Sequence, residues 1–124
     1  MTVVVIAGSR RRSPLNKLTQ LLMEHEPDYV VHGGEPGTDA VVSEAIANAP
    51  NLNIREVVVK KDYSFDSPGT SHAKAIQTTA SGLSDSETVV CFHFGHPQDD
   101  DAQRIAHRCE RAGWGVVIVD IEDN

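Results

Sequence analysis

Gly8-Ser9-Arg10 and Gly33-Gly34-Glu35-Pro36-Gly37-Thr38-Asp39 are the residues of this chain best suited to hold an anion. Each set follows a short β-branched run, Val3–Ala7 and Tyr29–Val31, and precedes a helical pattern. A glycine turn in that position directs backbone N–H groups and the positive end of a helix at one point, an arrangement that binds phosphate. Neither turn spells GxGxxG or a Walker loop, so both literal nucleotide fingerprints are excluded. In the first turn Gly8 lets the backbone approach a ligand, Ser9 offers a hydroxyl and Arg10 a bidentate fork for phosphate or carboxylate. The plainer reading is a tight strand-to-helix turn with a surface cation. In the second turn Gly33 and Gly34 remove side chains where a ligand or the first turn must come close. Gly37 permits positive φ, and Thr38 and Asp39 open the next helix as cap and first-turn residue. A carboxylate at a helix start stabilises by about 0.3–1 kcal/mol with no ligand at all. Because it would repel a phosphate, a functional Asp39 holds a ribose hydroxyl or orients Ser9 and Arg10.

A second group of chemistry-bearing residues follows the fourth apolar run: His93, His96, Asp99, Asp100 and Asp101. Imidazole and carboxylate together suit divalent ions, and the version compatible with this spacing is a weak Mg²⁺ or Ca²⁺ bridging an anionic ligand to the aspartates. The plainer version is solvated histidines and an acidic first helical turn. No cofactor is otherwise required. Cys91 has no evident activating partner and no serine sits in a GxSxG elbow, which argues against nucleophilic catalysis.

These residues need a parallel sheet behind them. Val3–Ala7, Tyr29–Val31, Ile54–Val59, Thr88–Phe92 and Val116–Val119 are short runs, three of them apolar at both alternating positions, as in strands covered on both faces. Between them, Leu15, Leu18 and Leu22; Val41, Val42, Ala45, Ile46 and Ala49; and Ala102, Ile105, Ala106 and Cys109 recur at helical spacing. Ser13-Pro14 and Ser67-Pro68 read as helix starts, and Gly113 as the end of the last helix. Right-handed crossovers then give a Rossmann-like three-layer α/β sandwich with a mainly parallel five-stranded sheet, a single domain over 1–120 with an acidic tail at 121–124. Ligands of such sheets collect at the carboxyl ends of the strands, where both glycine turns fall.

At 124 residues the chain is one domain, able to bury roughly two-thirds of its unfolded surface. A net charge of −7 makes nucleic acid an unlikely partner, since that binding draws on Lys and Arg displacing counterions. Two cysteines without a CxxC read as reduced core thiols. The first apolar run is followed by Arg10, Arg11 and Arg12, the reverse of a signal peptide, and no stretch reaches membrane-spanning length; a cytoplasmic location is expected.

The pair Ile6-Ala7-Gly8-Ser9-Arg10 and His32-Gly33-Gly34-Glu35-Pro36-Gly37-Thr38-Asp39-Ala40 resembles the SLOG superfamily and, within it, the small YpsA/YspA-like proteins. Relatives include the LOG-type nucleoside-monophosphate phosphoribohydrolases and the DNA-processing protein DprA. The order of elements agrees along nearly the whole chain, while specific motifs match within residues 3–40. The resemblance implies a site for a nucleotide-derived ligand built from Gly8, Ser9, Arg10, Gly33, Gly34, Gly37, Thr38, Asp39 and His72. It also places His72 and Ala73 where relatives carry an Arg-Asn pair at the start of a helix. It departs after the fourth strand: a Gly-Thr phosphate cradle is expected there, and Asp99, Asp100 and Asp101 stand in its place. Three carboxylates disfavour a bare phosphate. Three readings follow. The preferred one is a binding module for a nucleotide-derived or other phosphate-bearing small molecule. The second is a phosphoribohydrolase cleaving an N-glycosidic bond, with Glu35, Asp99, Asp100 or Asp101 polarising water or stabilising the sugar cation. The third is a DprA-like nucleic-acid or protein-interaction module. A homodimer is also expected, from the resemblance and from a helical face at Ala73, Ile76, Ala80 and Leu83 that a small sheet would leave open.

Overall fold

The apolar runs become the strands of one sheet because each can bury both of its faces. The computed structural model describes residues 2–8, 14–49, 51–60, 68–83, 89–94 and 100–119; of 68–71, 100 and 101 it describes the backbone alone. In chain order these are β1 (Val3–Ala7), α1 (Leu15–His25), β2 (Tyr29–His32), a 3-10 turn (Asp39–Val41) running into α2 (Val42–Ala47), and β3 (Arg55–Val58). Then come α3 (Pro68–Leu83), β4 (Val89–His93), α4 (Asp100–Arg111) and β5 (Gly115–Ile118). The five strands lie in the order β3-β2-β1-β4-β5, every neighbouring pair parallel. This is the Rossmann-like three-layer α/β architecture expected from the alternation of periods.

All five residues of β1 are fully buried, which identifies it as the spine of the sheet. Val3, Val5 and Ala7 pack with Ala73, Ile76 and Ala80 of α3 and Ala102, Ile105, Ala106 and Cys109 of α4. Val4 and Ile6 pack on the other face with Leu18, Leu21 and Leu22 of α1 and Val42 and Ala45 of α2. The chain steps outward from β1 to β2 and β3, and α3 then returns it across the sheet to β4 on the other side of β1. The strand order therefore reverses between β1 and β4, and the carboxyl end of β1 borders the crevice that such a reversal opens.

One expectation fails here. Ala73, Ile76 and Ala80 are buried in the core and Leu83 packs against it, so this face of α3 is not open to a partner. The reason is the crossover: α3 lies over β1 and β2 in the middle of the sheet, which consumes its apolar stripe. Both cysteines are buried in the same cluster, and a hydrogen bond with Cys109 together with burial pushes the Cys91 thiol up, away from nucleophilic character. Gly113 ends α4 at φ +85°, as its residue type suggests. α1 ends on Glu26 at φ +47°, a left-handed cap that the sequence does not announce. α1 starts at Leu15 after Pro14, and α3 starts on Pro68; Ser13, Ser67 and the tail 121–124 lie outside the described residues. Among the described residues, no helix is long and apolar enough to cross a membrane.

Candidate functional site

β1 and β2 are neighbours, so the turns that leave them meet at one edge of the sheet. A Cβ added to Gly8 would stand 2.5 Å from Asp39 Oδ1, 2.8 Å from Thr38 Cβ and 3.3 Å from the Asp39 nitrogen. Two of these atoms belong to or hang directly on the backbone and cannot swing aside. Glycine at position 8 is thus the condition for the two turns to interlock. The second turn reaches this position through two left-handed glycines, Gly34 at φ +71° and Gly37 at φ +87°.

Asp39 organises the turn from inside. It is 5% exposed, and its Oδ2 accepts the N–H groups of Gly33 at 3.2 Å and Glu35 at 3.3 Å. Its Oδ1, on the side of Gly8, is buried and has no hydrogen-bond partner among the described residues. Burial raises the Asp39 carboxyl above its ordinary 3.8, against the opposing pull of the two N–H donors.

Behind this carboxylate lies a relay that fixes the first half of the turn. His32 is 2% exposed, and its Nδ1 accepts the Gly34 N–H at 2.9 Å. An accepting Nδ1 leaves the ring proton on Nε2, which donates to Glu56 Oε2 at 2.6 Å. The other oxygen of Glu56 accepts the hydroxyl of Ser43 on α2. On the opposite side, buried His72 donates from Nε2 to the Val59 carbonyl at 2.6 Å, while its Nδ1 lies 3.9 Å from Glu35 Oε1. Val59 in turn donates to the His32 carbonyl at 2.8 Å. His72 thereby ties the start of α3 to the end of β3 and to the turn after β2.

The structure brings Gly8, Gly33, Gly34, Glu35, Gly37, Thr38, Asp39 and His72 to one edge, with three changes of role. Gly33 makes room for His72, whose Nε2 would stand 2.8 Å from an added Cβ; Gly34 makes room for Val58. Neither space belongs to the first turn, which meets Thr38 and Asp39 instead. Thr38 does not cap: its φ of −58° and ψ of −45° are already helical, it makes no side-chain cap bond, and its Cβ lies against Gly8. Ser9, Arg10, His96 and Asp99 lie outside the described residues, as do the side chains of Asp100 and Asp101, which open α4. His93 ends β4 beside Ala7, on the far side of β1 from the Asp39 turn. Among the described residues no group of three or more His, Cys, Asp or Glu could hold a metal ion.

His32, Glu56 and Ser43 are the members that sequence reasoning missed. The signals were present: a histidine closing an apolar strand directly before Gly-Gly, and a lone carboxylate between Ile54 and Val58. Comparison with models of known protein families finds no match, and comparison with curated proteins finds none either.

Proposed function

We propose that this chain binds a nucleotide-derived small molecule at the carboxyl edge of β1 and β2. Asp39 Oδ1 accepts a hydroxyl of the sugar, and the Gly8-Ser9-Arg10 turn takes the phosphate. The single observation that carries this reading is the buried, unpartnered Oδ1 facing Gly8 beside the point where the strand order reverses. A buried polar atom without a partner costs about 1–3 kcal/mol, and buried groups in folded proteins rarely go without one. A ligand hydroxyl donating to Oδ1 recovers that loss. A phosphate there would be repelled by the carboxylate, so the reading gives the phosphate to the first turn, whose glycine, serine and arginine are residue types suited to it. The resemblance to the SLOG superfamily supports the same ligand class through the same residues.

Native mass spectrometry and thermal shift against a panel of nucleosides, nucleoside 5′-monophosphates and inorganic phosphate test the proposal. It expects a bound monophosphate and a raised melting temperature, a weaker response to the matching nucleoside and none to phosphate alone. Silence across the nucleosides and monophosphates, or equal response to phosphate alone, would overturn it.

A further inference from the structure

His32, at the end of β2, holds the following turn in a way that only its neutral ring allows. Its Nδ1 accepts the Gly34 N–H at 2.9 Å, while its Nε2 lies 2.6 Å from Glu56 Oε2. A proton added to Nδ1 sets N–H against N–H, and the bond becomes a repulsion. The ring is 2% exposed, so a charge on it needs partners already in place. Two are present: Glu56 Oε2 on Nε2, and Asp39 Oδ2, 3.9 Å from Nδ1. The Glu56 side chain keeps 24% of its surface exposed and links the ring to water.

Among the described residues these two carboxylates are the charged groups set on the ring nitrogens. β1 and α1 approach the same face with Val4, Ile6, Leu18 and Leu22, and α2 with Val42, Ala45 and the neutral Ser43 that bonds Glu56. Gly33, one residue on, faces α3, so His72 lies on the opposite side of the strand, with Glu35 near its Nδ1.

The peptide that must answer a protonated Nδ1 joins Gly33 to Gly34. Rotating it changes ψ of one glycine and φ of the next, with no Cβ to resist on either side. Gly34 already sits at φ +71°. Turning this peptide over exchanges the Gly34 N–H for the Gly33 carbonyl, and that carbonyl can accept from Nδ1.

We propose that His32 is a proton-operated switch of the turn after β2. Neutral, the ring holds the Gly33–Gly34 peptide with its N–H inward; protonated, it turns the peptide over and takes the Gly33 carbonyl. The N–H groups on either side of that peptide, those of Gly33 and Glu35, are the two that Asp39 Oδ2 holds. The flip therefore loosens the grip that aims Asp39 Oδ1, and acid weakens the site. That consequence for ligand rests on the function proposed above; the flip itself does not.

Nuclear magnetic resonance on the full chain without ligand, from about pH 8 to about pH 5, follows the His32 ring nitrogens and the Gly34 amide together. Expected are an Nε2–H tautomer at the upper end, protonation of Nδ1 on acidification, and a reversible move of the Gly34 cross-peak with the same midpoint and reduced protection from hydrogen exchange. His32→Asn offers an amide oxygen near the place of Nδ1 and no titrating ring, so its Gly34 cross-peak should stay still while Asp39 remains free to titrate. The coincidence of midpoints in the parent decides the matter without the variant. A Gly34 amide that stays put while His32 protonates, a ring that takes up no proton across this range, a transition that survives in His32→Asn, or global unfolding in place of the local change would overturn the proposal.

Discussion

Gly33 and Gly8 flank the same turn and leave space for different neighbours. On the α3 side, the room beside Gly33 is filled by the ring of His72, and that ring is itself bonded to Val59. On the β1 side, the room beside Gly8 is filled by Thr38 and Asp39, and there a buried carboxylate oxygen lacks a donor. Both glycines belong to motifs that read as cradles for an anion. Polar accounting separates them: the α3 side is knit together by the protein's own groups, and the β1 side is one donor short. The glycine-rich turn thus has one half closed by the protein's own groups and one half with an open acceptor, and it is to the second that the proposed ligand is assigned.

The strongest way to break this contrast is Gly8→Val. Its Cβ meets atoms fixed to the backbone, so the two turns must part; a loss of about 1–3 kcal/mol or more in denaturant unfolding and complete loss of ligand binding are expected. Gly33→Ala meets a side chain instead. Alone it should cost about 1–3 kcal/mol by displacing His72, and combination with His72→Ala should return part of that cost. A strictly additive pair would mean that Gly33 serves something other than the histidine. Glu56→Gln sharpens the account of the framework side. It weakens the acceptor of His32 and Ser43 at a partly exposed position, and about 1 kcal/mol of stability should be lost with ligand affinity little changed.

Asp39→Asn is the mildest of these for the fold and the most telling for the site. The amide oxygen can still accept from Gly33 and Glu35, while an N–H₂ group replaces the open oxygen. Stability at neutral pH should change by about 1 kcal/mol or less. The pH dependence has a definite sign. Burial raises the folded carboxyl above 3.8, so the folded state holds the proton more tightly than the unfolded chain. The contribution of Asp39 to stability is therefore full below 3.8 and is lost as pH rises through the folded value. Denaturation of parent and variant across this window should show the parent losing ground to Asp39→Asn as pH increases.

The parts of the molecule legible in the sequence are those decided by residue type and local period. β1 reads correctly to its last residue because a strand buried on both faces is apolar at every position. Gly37 and Gly113 declare their positive φ, since little else adopts it. What a face meets is not local. The stripe Ala73, Ile76 and Ala80 is visible as a pattern, but whether a sheet or a partner covers it depends on where the crossover lands. The role of Gly33 required knowing that His72, on another helix, arrives beside it. The His32–Glu56 contact depends on strand register: Val58 stands opposite His32, which leaves Glu56 diagonal to it on the same face of the sheet. Asp39 was legible as a residue of consequence, and its open oxygen was not, because partners taken by Oδ2 appear only in three dimensions.

The central claim is that Asp39 Oδ1 is the acceptor for a ligand hydroxyl, and calorimetric titration of parent and Asp39→Asn with nucleoside 5′-monophosphates tests it most directly. The account predicts that at least one monophosphate binds the parent, and that Asp39→Asn binds it roughly tenfold more weakly or worse while unfolding normally. Equal affinity in parent and variant would contradict it.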